Sequence, residues 1–105
     1  MATLYITEVE KVAFTLVDGQ PVAAPQLPGV AEQAVAIAAG STPSAPFNAR
    51  TRYVLINADA VCSLAWAAND GSVPTANVGA QRMGQNETRF IGVTPGGRLA
   101  VIANV

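Results

Sequence analysis

Histidine is absent from this 105-residue chain, and cysteine occurs once, as Cys62. A Ser–His–Asp triad and a Cys/His zinc site are therefore excluded. One cysteine cannot form an internal disulfide, so a stapled mini-protein is excluded too. Charge is also scarce. Charged residues make up 12% of the chain, against a usual share of roughly 25%. Six lysines and arginines stand against seven aspartates and glutamates, for a net charge of -1. The basic excess that drives nucleic-acid binding is missing, so no nucleic-acid partner is expected. No apolar run approaches the roughly 20 residues that span a bilayer, so no membrane partner is expected. Met1–Tyr5 carries neither a basic segment nor a long apolar one, and no signal peptide is expected there.

What the chain does have is apolar residues. They make up half of it, and the mean hydropathy is +0.32. Disorder requires the opposite balance. The length suits one domain spanning residues 1–105. A domain this small exposes much of its surface, and so few charges cover that surface poorly. Part of it is expected to be buried against copies of the same chain, as a dimer or trimer, or against another protein.

Alternation of apolar and polar positions dominates and points to strands. Over 3–9, Thr3, Tyr5, Thr7 and Val9 share one face, and Leu4, Ile6 and Glu8 the other. Val12, Phe14 and Leu16 alternate with Lys11, Ala13 and Thr15. Asp18-Gly19 follows and supplies the positive φ angles of a type I′ hairpin turn. Pro21 then suits an edge strand, because it cannot donate a ladder hydrogen bond. Residues 25–29 and 40–49 read as proline-bearing loops. Between them, 30–39 fits either a short helix, with Val30, Ala34 and Ile37 as its stripe, or a strand through Gln33, Val35, Ile37 and Ala39. Strand is favoured, because ten residues with no polar face make a marginal helix.

Thr51–Ile56 is nearly continuous apolar, as for a strand buried on both faces. In 61–67, Cys62, Leu64 and Trp66 share one face, and the turn at 57–60 is expected to close a second hairpin. Residues 72–86 are small and polar and predict one or two short edge strands. Thr88–Val93 and Arg98–Val105 predict the final strands, joined by a tight turn at Thr94–Gly97. The expected fold is all-β: a single-domain antiparallel β-sandwich or barrel, jelly-roll-like, with seven to nine short strands. Tyr53, Leu55, Leu64, Trp66 and Phe90 are expected to share its core.

The candidate chemical motifs each have a simpler structural explanation. Cys62 lacks the histidine or comparable base that generates a nucleophilic thiolate, and reads as a buried, inert strand cysteine. Asp59, Asp70 and Glu87 are candidates for an acid–base pair, but Asp59 and Asp70 stand in turn sequences that favour aspartate. Asn86-Glu87-Thr88 matches a glycosylation sequon and, without a secretion signal, reads as chance. Gly96-Gly97 lacks the rest of a phosphate loop and reads as a hairpin turn. Trp66 reads as core rather than as a ligand platform. No enzymatic activity, cofactor or metal is expected. Arg50, Arg52, Arg82, Arg89 and Arg98 suit either interfaces, where arginine is enriched, or solvated strand edges.

The segment "PFNARTRYVLINADAVCSLAWAANDGSVPTANVGAQRMGQNETRFIGVTPGGRLAVIANV", with the opening "MATLYI", resembles a family of small tailed-bacteriophage proteins usually encoded near the major capsid gene. The stretches "TRYV", "ADAVCS", "ETRF" and "AVI" carry the likeness. The resemblance implies a virion structural protein, foremost a capsid decoration or cement protein. Its partners would be the major capsid protein and copies of itself. It would be made in the host bacterial cytoplasm and sit on the capsid surface. Contact is expected through the terminal strand, at Thr3, Tyr5 and Thr7. It is also expected in and beside the polar stretch 72–86, at Arg82, Met83 and Arg89. The alternative is a head-fibre or tail-fibre module recognising a host surface glycan, which a shallow aromatic cleft would favour.

Overall fold

The computed structural model describes residues 2–17, 19–25, 27–69, 71–79 and 81–104, so Asp18, Asp70 and Val105 lie outside the described residues. The described residues form ten β segments and no helix. They are β1 (Ala2–Val9), β2 (Val12–Val17), β3 (Gln20–Pro25), β4 (Ala31–Ile37), β5 (Thr42–Pro43), β6 (Tyr53–Ala58), β7 (Cys62–Ala67), β8 (Gln81–Met83), β9 (Thr88–Gly92) and β10 (Arg98–Ala103). The ambiguous alanine-rich stretch is a strand. Its neighbour explains why, since β1 pairs with it over seven residues, from Ala2↔Ile37 to Glu8↔Ala31.

Eight segments form two antiparallel four-stranded sheets, ordered β4-β1-β6-β9 and β5-β10-β7-β8. The sheets pack face to face as a sandwich, and the barrel is not closed. The pairing is nested. β7 pairs with β8, β6 with β9, β5 with β10 and β4 with β1, and successive pairs alternate between the sheets. That is a long two-stranded ribbon rolled up, the jelly-roll arrangement, with β1 supplying the strand that closes the series. The remaining two segments, β2 and β3, pair only with each other, from Val12↔Pro25 to Val17↔Gln20. Gly19, at φ 78, sits between them.

The rolled topology corrects three expectations. Thr51–Ile56 and 61–67 do not make a hairpin, because the short link at 59–61 carries the chain from one sheet to the other. The Thr94–Gly97 turn does the same between β9 and β10. It is tight because Gly97 donates to the Thr94 carbonyl at 2.9 Å. A Cβ on Gly97 would lie 2.5 Å from the Ala67 carbonyl oxygen, so only glycine fits. The third correction concerns the core. Leu64 is inside, with Leu4, Ile6, Val54, Ile56, Leu99 and Val101. Tyr53, Leu55 and Phe90 are not. β6 alternates half-buried and buried positions, with Val54, Ile56 and Ala58 inward, and Phe90 pairs with Leu55 on the outer face. Trp66 packs against the core only in part.

One polar group is buried inside the apolar face of β1. Glu8 is 2% exposed. Its carboxylate accepts the Asn48 amide at 2.7 Å, the Thr51 hydroxyl at 2.8 Å and the Gln33 side-chain amide at 3.0 Å. These bonds tie the 44–51 loop down onto β1 and β4. On its other side that loop bonds to the second sheet. Ser44 donates to the Leu99 carbonyl and Phe47 to the Gly97 carbonyl, at 2.7 and 2.8 Å.

Candidate functional site

The two outer sheet faces differ. On the β5-β10-β7-β8 sheet, Ser63 and Ala100 point outward and yet are fully buried. The 72–79 link lies across them. The Val78 carbonyl accepts from Asn104 at 3.4 Å and from Ser63 at 3.5 Å. Ala76 is buried and donates to the Ser41 hydroxyl at 2.9 Å. The polar stretch after β7 is thus spent largely on covering this chain's own sheet.

The outer face of the other sheet is covered only at one end, where Val9 is fully buried and Gly29 closes on Thr7. Strand register places Ala36 beside Thr3, then Ala34, Tyr5, Asn57 and Thr88 in one row, and Glu32, Thr7, Leu55 and Phe90 in the next. Tyr53 and Gly92 extend the face beyond them. Glu32 is the one charged side chain among these positions. Tyr5 is 53% exposed and Phe90 36%. The Phe90 and Tyr53 rings stack with centroids 5.3 Å apart. Four strands at about 4.8 Å spacing and some six residues at about 3.4 Å make a patch of roughly 400 Å². That is the scale of the largest patch on a typical monomer, which is often functional.

The expected contact residues divide accordingly. Thr3, Tyr5 and Thr7 lie on the bare face. Met83 does not reach any surface. It is fully buried against Cys62 in the core, because inward parity on β8 falls on it. Arg82 is exposed. Arg89 is half-buried and occupied within the chain: it pairs with Glu87 and donates to the Arg82 carbonyl at 2.7 Å. It therefore ties the free edges of the two sheets together.

A second feature opens where the sheets part at their ends. A cleft of about 710 Å³ lies between β6, β7 and β9, with Phe47, Tyr53, Trp66, Ile91 and Val93 on its walls. Arg52 and Gln81 supply polar groups, and the Trp66 indole N–H donates to the Gln81 side-chain oxygen at 2.9 Å. Arg52 is the only charged residue among the described lining residues. Trp66 reaches the cleft because it continues the inward parity of Cys62 and Leu64 past the end of the core. The Glu8 network was not singled out by sequence reasoning, although it seats Phe47 in the cleft. The available signal was Glu8's parity with Leu4 and Ile6, which places a carboxylate on the inward face.

Of the candidate catalytic groups, Asp70 lies outside the described residues, and Ala58, next to Asp59, donates to the Glu87 carbonyl at 3.2 Å. Cys62 is fully buried, and burial pushes its thiol pKa up, away from reactivity. Glu87 is engaged by Arg89. Asp59 stands in the link between sheets, donating its backbone N–H to the Thr3 carbonyl at 3.1 Å. Comparison with protein families, with curated proteins and with solved structures finds no match for this chain.

Proposed function

We propose that this chain is a non-enzymatic structural protein of a bacteriophage virion, a decoration protein that lies against the capsid lattice and bridges its subunits. The observation that carries the proposal is the bare sheet face around Tyr5, Leu55 and Phe90, with Glu32 as its one charge. Interface centres are depleted in charge and enriched in aromatic residues in this way. The family resemblance supplies the partner, the major capsid protein. The fold alone does not choose, since jelly rolls serve capsids and lectins alike.

Size bears on the mode of attachment. The bare face is about half of the roughly 800 Å² that each partner contributes to a standard interface. One copy would hold weakly. A repeating lattice that engages several linked copies raises the effective affinity by roughly 10²–10⁴. Co-sedimentation of the purified protein with assembled capsids tests this. Leu55→Lys and Tyr5→Glu, both at surface positions, are expected to lose particle binding while the fold is retained. A fold-intact protein that stays in the supernatant defeats the proposal.

The aromatic cleft favours the second reading, a module that binds a host glycan. Saccharide binding that depends on Trp66 and is unaffected by Leu55→Lys would decide for it. Absence of particle binding together with such a signal would replace decoration by recognition.

A further inference from the structure

The β2–β3 hairpin stands apart from the rest of the molecule. It pairs with neither sheet, and residues 12–17 and 19–25 contain no charged residue. A two-stranded hairpin is marginal in water without further cover. Its six-residue strands make an arm about 20 Å long. The molecule measures 45 Å along its longest axis and 29 Å along the next. β1, with eight residues, accounts for about 27 Å of strand length. The surplus along the long axis matches the arm, and neither of its strands packs substantially on another described element.

The root of the arm lies beside the aromatic cleft. Arg52 donates its backbone N–H to the Val9 carbonyl at 3.0 Å, and Val9 pairs with Tyr53. Arg52 and Tyr53 both line the cleft. Glu10, two residues before β2, is bonded to Arg50 at 2.9 Å. Each copy thus presents, at one end, an arm whose two strands carry no charge and a largely apolar cleft that those strands do not pack into. An arm that does not pack on its own cleft is free to enter a neighbour's.

We propose that two copies exchange arms, each β2–β3 hairpin seating in the Phe47–Tyr53–Trp66–Val93 cleft of the other. Arm and cleft share an end of the molecule, so one two-fold axis satisfies both contacts and closes the assembly as a dimer. The occupant is matched in chemistry. The arm's strands carry no charge, Asp18 between them is the one charged residue of 12–25, and the cleft walls carry only Arg52. The inference does not depend on virion attachment, which involves the bare sheet face.

Trp66 is the only tryptophan in the chain and reports the cleft directly. Its emission is expected to move to shorter wavelength as concentration rises, in step with the appearance of dimer mass in sedimentation. Phe14→Asp in the arm and Ala68→Arg at the cleft, an exposed lining position, are each expected to raise the dimer dissociation constant at least about tenfold. Circular dichroism should stay unchanged in both. Mixing the two variants restores one arm–cleft contact per pair, and a heterodimer should form that neither variant forms alone. A wild-type monomer at high concentration overturns the proposal. So does a dimer that survives both substitutions, or Trp66 emission that does not follow dimer formation. Particle co-sedimentation of Ala68→Arg, retained while its dimer is lost, separates this outcome from failure of the decoration reading.

Discussion

Replacing Glu8 by alanine should destabilise the domain by about 3–5 kcal/mol, roughly the worth of two of the three hydrogen bonds its carboxylate accepts. The sum is built from the contacts. Asn48, Thr51 and Gln33 each donate to this carboxylate within 3.0 Å. Hydrogen bonds to a charged group are worth about 1.5–3 kcal/mol each, and a stranded buried donor costs about 1–3. Not all three donors stay stranded, because Gln33 reaches toward the surface. For a domain of this size the loss corresponds to a fall in Tm of about 15–30 °C. Urea titration and thermal melting, both followed by circular dichroism, measure it. Glu8→Gln is the sharper variant. It keeps an oxygen for Asn48 and Thr51 but sets its own amide against that of Gln33. Turning Gln33 over would give up its bonds with the Ala45 carbonyl and amide, at 3.3 and 3.0 Å. Adding Gln33→Glu restores a donor–acceptor pair at that contact and should recover part of the loss. A Glu8→Ala cost below about 1 kcal/mol, or no recovery in the double variant, would refute the reasoning.

Other consequences can be checked separately. The Cys62 thiol should react with a thiol reagent only as fast as the domain opens, and rapid labelling of folded protein would contradict its burial. The Glu87 carboxyl is held below the usual glutamate range, chiefly by the hydrogen bond from Arg89. Its contribution is complete above the unfolded-state pKa and is lost as pH falls through the folded one. Glu87→Gln should therefore flatten the acid limb of a Tm-against-pH profile, and an unchanged slope would count against the pairing. Gly97→Ala should cost about 2 kcal/mol through overpacking against the Ala67 carbonyl. Gly40→Ala meets no atom within 4 Å and should be neutral or stabilising by up to about 1 kcal/mol. Equal effects of the two in denaturant titrations would contradict the packing at Gly97.

Local pattern carried most of the strands, and what it missed was long-range. Alternation placed β1, β7 and β10, and the Asp18-Gly19 pair marked the β2–β3 connection. The strand at 31–37 was harder, because alanine suits helix and its partner β1 lies some thirty residues away. The links at 59–61 and 94–97 look like hairpin turns, since a short turn between two strands does not reveal whether they share a sheet. Only the nested pairing of β6 with β9 and β7 with β8 decides that. The cleft and the Glu8 network join segments from across the chain. Their members are ordinary residues one by one, and parity was the only local sign of either.

The expectation that failed for the chain alone bears on its assembly. Tyr53-Val54-Leu55-Ile56 reads as a strand buried on both faces, and sheets with one solvated face normally alternate apolar-in with polar-out. Here Val54 and Ile56 enter the core, while Tyr53 and Leu55 stay half-buried outside. β9 repeats the pattern, with Ile91 packed against the core and Phe90 outside. The scarce charges that are paired sit at loops and sheet edges, as Glu10 with Arg50 and Glu87 with Arg89, and leave the outer face to Glu32. On the opposite sheet the chain covers its own outer face with the 72–79 link. A composition suited to double burial, satisfied on one side only, is what a strand carries when the second cover comes from another molecule. That is the physical ground for seeking the partner over Tyr5, Leu55 and Phe90, and for placing the contact between copies at the arm and cleft instead.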